Sequence, residues 1–164
     1  MQEAESLQGK WRSAVFLLTA LLIVAADQLS KMWVQAYPEG QSLFEAGFFR
    51  ITHIHNTGAA FGLFPDQSFL LTRVALVGIA LLLLYAFLIY RRFPSLDNML
   101  SRVALGLVLG GTVGNLIDRL HFGYVTDFID FGVWPAFNIA DSAIVVGAII
   151  LAYSLLPLAR TEKH

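Results

Sequence analysis

The chain contains no cysteine, which removes disulfide scaffolds, thiol nucleophiles and thiolate metal sites together. Charge is scarce as well: 14% of the 164 residues are Asp, Glu, Lys or Arg, against 57% hydrophobic, and the formal net charge is -1. That balance offers no basic footprint for nucleic acid. Gly-x-Ser-x-Gly elbows, phosphate loops, internal repeats and low-complexity tracts are also missing. What is present is apolar sequence, with a mean hydropathy of +0.65, well beyond soluble domains. The composition is that of an integral membrane protein.

Four apolar runs stand out, Ala14 to Ala26, Val74 to Tyr90, Val103 to Ile117 and Ala143 to Leu158. Each falls short of the roughly 20 residues a spanning helix needs, but each extends at one end through mildly polar residues. The expected architecture is all-α, with four transmembrane helices near 14–36, 68–90, 98–118 and 138–158 in one membrane domain covering 1–164. The first run, preceded by Lys10 and Arg12, also fits a cleaved signal sequence, and a retained helix is preferred because its polar end has counterparts in the other three. Seven of the eleven Lys and Arg residues lie at the termini and the middle loop, so both termini are expected in the cytoplasm. Between helices 1 and 2, Phe48 to His55 alternates and is rich in β-branched and aromatic residues. It predicts a small extracytoplasmic β-sheet near 40–66, with this strand ending in a small-residue turn from Asn56 to Phe61.

Polar residues break these runs at a common depth. At 1.5 Å rise per residue, Asp27 lies roughly 20 Å above Ala14, Asn115 about as far above Arg102, and Asp141 roughly 25 Å above Leu158 on a helix running the other way. Asp118 and Arg119 follow one turn further out, and Asp127 lies in the next outer connection. Carboxylates at the edge of hydrocarbon are costly unless they face a protein cavity, so Asp127 and Asp141 are the leading site candidates.

Each candidate has a plainer reading. Asn138-Ile-Ala-Asp141 fits a helix cap. Asp118 and Arg119 could be an interfacial charge pair, Asp27 and Lys31 an i, i+4 helix pair, and Asp130 a solvated neighbour of Asp127. Gly106, Gly110 and Gly114 form a stripe suited to close helix packing. His53 and His55 face one way on the expected strand but lack a third ligand nearby, so they are read as surface residues and no metal or cofactor is expected.

Five motifs in register, Asp27-Gln-Leu-Ser-Lys31, Asn56-Thr-Gly-Ala-Ala-Phe61, Gly111-Thr-Val-Gly-Asn-Leu-Ile-Asp-Arg119, Val125-Thr-Asp-Phe128 and Phe137-Asn-Ile-Ala-Asp-Ser142, resemble the bacterial lipoprotein signal peptidases, or signal peptidase II. The resemblance implies an aspartic endopeptidase of the cytoplasmic (inner) membrane. Its substrate would be a diacylglyceryl-modified prolipoprotein, cut just before the lipidated cysteine, with membrane lipid around the enzyme. It further implies Asp127 and Asp141 as the catalytic pair. Asn56, Asn115, Arg119 and Asn138 would lie around the substrate, with Asp27 in a supporting position. The site would face outward, on a chain expected to be monomeric, with an outer amphipathic segment near Tyr37 to Phe49. The competing readings are a small four-helix transporter or channel subunit with intramembrane carboxylates, and a His/Asp metallohydrolase sensitive to chelators.

Overall fold

A computed structural model describes the backbone of residues 2–58, 67–92 and 97–161, and the side chains of 9–58, 67–88 and 97–154. Its elements run α1 (Gln2–Gln35), β1 (Ser42–Ala46), β2 (Phe49–Asn56), α2 (Ser68–Arg92), α3 (Met99–Phe122), β3 (Val125–Asp130) and α4 (Ile139–Thr161). α1 begins twelve residues before its apolar run, because Glu, Ala, Gln and Lys sustain a helix without being hydrophobic. α3 starts on the Asn98 cap, whose side chain accepts from the Ser101 N–H, and ends at Gly123, where φ of 80° closes it with a bond to the Arg119 carbonyl.

α3 is the hub, packed against α1, α4 and α2. Its glycines make this approach tight. A Cβ on Gly110 would lie 2.7 Å from the Ala20 carbonyl of α1, and one on Gly111 would meet the Ala140 carbonyl of α4. Leucines such as Leu21 (66% exposed) and Leu81 (60%) point away from the bundle, which is inverted relative to a water-soluble core. Three helical stretches, Gly9–Gln35, Ser68–Leu88 and Met99–Phe122, are long and apolar enough to cross a membrane, while Ile139–Ser154 of α4 is a shorter apolar helix.

The sheet is larger than expected. β1 and β2 form an antiparallel hairpin, and β3, from the connection between α3 and α4, pairs antiparallel with β2 to give the order β1-β2-β3. Asp127 therefore sits on a strand rather than in an irregular loop, opposite Ile54. The stretch expected to be an outer amphipathic segment, Tyr37 to Phe49, instead forms a turn and β1. Of the small-residue turn, Ala59 to Phe61 lie outside the described residues.

Candidate active site

Asn138 organises the centre. Its side-chain oxygen accepts the Asp141 N–H at 2.9 Å and Asp141 Oδ2 accepts the Asn138 N–H at 3.3 Å, a reciprocal cap that starts α4. The amide of the same side chain donates to Asp127 Oδ1 at 2.8 Å and to Asn115 Oδ1 at 3.1 Å. Asn115 in turn donates to Asp141 Oδ1 at 2.8 Å, and Asn56, at the end of β2, donates to Asp127 Oδ2 at 2.8 Å. Each carboxylate thus accepts from two nitrogens, and the two are joined through one pair of amides. The cap reading of Asp141 is correct, and the cap is also what ties Asp141 to Asp127.

Beneath this pair lies a second buried layer. Lys31, 1% exposed, places its Nζ 2.8 Å from Asp27, 3.2 Å from Asp118 and 2.9 Å from Asn115 Oδ1. Asp27 Oδ1 accepts the Ala140 N–H in the first turn of α4, and Asp118 Oδ2 accepts the Thr126 N–H of β3. Gln28 bridges the two carboxylates, donating to Asp27 at 3.2 Å and Asp118 at 3.0 Å. A buried charge holds only when paired and fully hydrogen-bonded, and this layer meets that condition by stitching α1, α3, β3 and α4 together.

Two plainer readings are corrected by this arrangement. Asp118 is not paired with Arg119 at an interface; one helical step points them to opposite tasks, Asp118 to Lys31 and Arg119 to the cavity described below. Asp130 is not solvated either: Arg50 donates to it at 2.6 Å, the Gly132 N–H at 2.7 Å, and it is 8% exposed. Lys31 is the residue the sequence undervalued. Its i, i+4 spacing showed Asp27, but the second partner stands on another helix.

Asp127, Asp141, Asn56, Asn115 and Arg119 border one cavity of about 520 Å³, whose remaining wall is largely apolar and includes Trp134, Phe137 and Val145. Arg119 reaches the Gly58 carbonyl at 3.4 Å through Nη2, while its Nε is buried with no hydrogen-bond partner among the described residues. Asn138 and Asp27 stand behind the wall rather than in it. Burial, then the neighbouring Asp141 charge, pushes the Asp127 carboxyl from 3.8 up to about 7, against the opposing donors Asn56 and Asn138 and the Lys31 charge. A carboxyl that keeps its proton near neutrality beside a second carboxylate is equipped for paired acid and base work.

Comparison with known proteins gives the family. Residues 19–157 match the sequence profile of signal peptidase (SPase) II. A lipoprotein signal peptidase of Moorella thermoacetica is 49% identical over 86% of this chain and 92% of its own, and one of Dehalococcoides mccartyi is 46% identical over 93% of each. Two solved bacterial membrane enzymes superpose with TM-scores of 0.78 and 0.74. They are 29% and 30% identical, and cover 88% and 87% of this chain and 88% and 93% of theirs. The chain belongs to the signal peptidase II family.

Proposed function

We propose that the chain is an aspartic endopeptidase of the bacterial cytoplasmic membrane that removes the signal peptide from diacylglyceryl-modified prolipoproteins, cutting just before the lipidated cysteine. The observation that carries this reading is the convergence of Asp127 and Asp141 on one cavity, joined through Asn138 and Asn115. The relatives' name, lipoprotein signal peptidase, supplies the substrate class. The transporter reading has no support from that family.

In the proposed mechanism Asp127, raised to about 7, holds the proton of the pair and Asp141 is the base. Asp141 takes a proton from a water as it attacks the scissile carbonyl. Asp127 hydrogen-bonds the developing oxyanion and then protonates the leaving amine. Arg119 and Asn56, on the cavity wall, orient the peptide backbone, and the apolar wall beside Trp134 and Val145 takes up the lipid-bearing end. Every protonation step is assigned to these side chains, so no metal or cofactor enters the reaction.

α4 is the proposed fourth span: its 23 residues reach roughly 35 Å, enough for a hydrocarbon core of about 30 Å. The exposed Phe44, Phe48 and Trp134 around the sheet suit a membrane–water interface, and the Lys and Arg bias toward the termini and middle loop favours a site at the extracytoplasmic face with both termini cytoplasmic. The enzyme is proposed to act as a monomer. The test is cleavage by purified protein of a diacylated precursor against the same precursor without lipid. Turnover of the lipidated form alone supports the reading; equal turnover of both, or of neither, contradicts it.

A further inference from the structure

Asp130 lies three residues beyond Asp127 on β3, outside the carboxylate pair, and is nevertheless buried. Arg50, its cross-strand partner on β2, donates through Nη2 to Oδ2 at 2.6 Å, and the Gly132 N–H donates to Oδ1 at 2.7 Å. Both bonds are short and charge-assisted. An aspartate that accepts from the N–H two residues on fixes a turn, and this turn begins the connection from β3 to α4. Gly132, at φ of 72°, takes left-handed backbone that a side chain would strain, so the chain bends where Asp130 holds it.

The far end of the same connection is closed by Phe137, which exchanges backbone hydrogen bonds with Ile129 at 2.8 and 3.1 Å. Phe131 packs its ring against those of Phe49 at 5.4 Å and Phe137 at 6.1 Å. Residues 131–137 are therefore a flap pinned at its base, while Val133 at its tip is 94% exposed. Trp134, Pro135, Ala136 and Phe137 of this flap border the cavity beside Asp127 and Asp141. The direction in which the chain leaves β3 thus decides where that apolar wall stands.

We infer that Asp130, buttressed by Arg50, is a positioning residue for substrate: it holds the flap so that Trp134 forms the wall against the apolar, lipid-bearing end of the precursor. The inference rests on the proposed function for its substrate and adds the group that sets this part of the cavity. Asp130 acts through Trp134 and takes no part in the proton transfers. Its loss leaves the donors to Asp127 and Asp141 in place, so binding suffers and chemistry does not.

The test measures kcat and KM of purified full-length Asp130→Ala, Trp134→Ala and the double variant on the diacylated precursor. A second arm follows Trp134 fluorescence in vesicles of brominated phosphatidylcholine, with Trp11→Phe and Trp33→Phe leaving it the sole tryptophan. Asp130→Ala should raise KM roughly ten- to a hundredfold, keep kcat within about twofold and leave the pH dependence of kcat unchanged. Trp134→Ala should raise KM in the same way, and the double variant no further than the larger single, because both remove one wall. Asp130→Ala should also change the Trp134 emission maximum and its quenching by the lipid. Asp130→Asn keeps an oxygen for the Gly132 N–H and should show the same effects more weakly, which keeps the test readable where Asp130→Ala does not fold. A parental KM, a loss confined to kcat, additive KM effects in the double variant or unchanged Trp134 emission would each overturn the assignment. If no protein, parent included, cleaves the precursor, the proposed function fails, and the emission comparison still decides whether Asp130 positions Trp134.

Discussion

Asn56 and Asn138 place two amide donors on Asp127, and their effect on its proton can be read separately. The proposed mechanism needs Asp127 protonated, so cleavage is expected to fall as pH rises through about 7. A donor to a carboxylate favours the charged form and lowers its pKa; removing one raises it. Asn56→Ala should therefore move the alkaline limb of the kcat/KM profile upward, by up to about one pH unit, the worth of roughly 1.5 kcal/mol in a charge-assisted hydrogen bond. An unshifted or lowered alkaline limb would take the proton away from Asp127. Stability carries the same sign. An acid whose pKa is raised on folding, here from 3.8 to about 7, makes the native state bind more protons, so stability declines as pH rises across that window and levels off above it. Lys31 has a different role. Lys31→Ala leaves Asp27 and Asp118 buried without their cation, a loss of roughly 3–5 kcal/mol seen as a lower unfolding temperature or no folded protein. A parent-like unfolding temperature would show the layer to be dispensable.

At the scale of elements, α3 and β3 show what a sequence displays and what it hides. The common depth of Asp27, Asn115 and Asp141 was legible because helical rise is fixed, and these residues do belong to one connected network. β3 was hidden: Val125 to Asp130 is buried along almost its whole length, so it lacks the polar alternation that marks a half-exposed strand, and its aspartates read as loop. Asp118 was hidden for another reason, since its cation comes from a helix 87 positions away in sequence. The glycine stripe was rightly read as packing, but at Gly114 it also makes room for charge. A Cβ there would lie 2.6 Å from Asp27 Oδ2 and 3.4 Å from the Ala140 Cβ. Gly114→Ala should therefore push Asp27 off the first turn of α4, lowering stability by about 1–3 kcal/mol and cutting activity further than stability alone explains. Wild-type turnover in a folded Gly114→Ala protein would contradict that link.

At the scale of the molecule, four helices and three strands among the described residues, drawn from distant parts of the chain, bring a carboxylate pair to one end of the bundle. The cysteine-free background makes its orientation measurable: single cysteines at Glu39 or Glu45 should label from outside, and one at Asp97 from inside. The opposite pattern would put the cavity in the cytoplasm and away from exported precursors. The proposed chemistry rests on two residues, and the direct measurement is cleavage of a diacylated precursor by purified Asp127→Asn and Asp141→Asn proteins beside the parent. The amide keeps the shape of each side chain but can neither serve as the base nor donate an acidic proton. Each single variant should elute and unfold as a folded membrane protein and cleave below about one per cent of the parent rate, a loss of at least roughly 2.7 kcal/mol in transition-state stabilisation. Cleavage well above that level by either folded variant would contradict the aspartate pair.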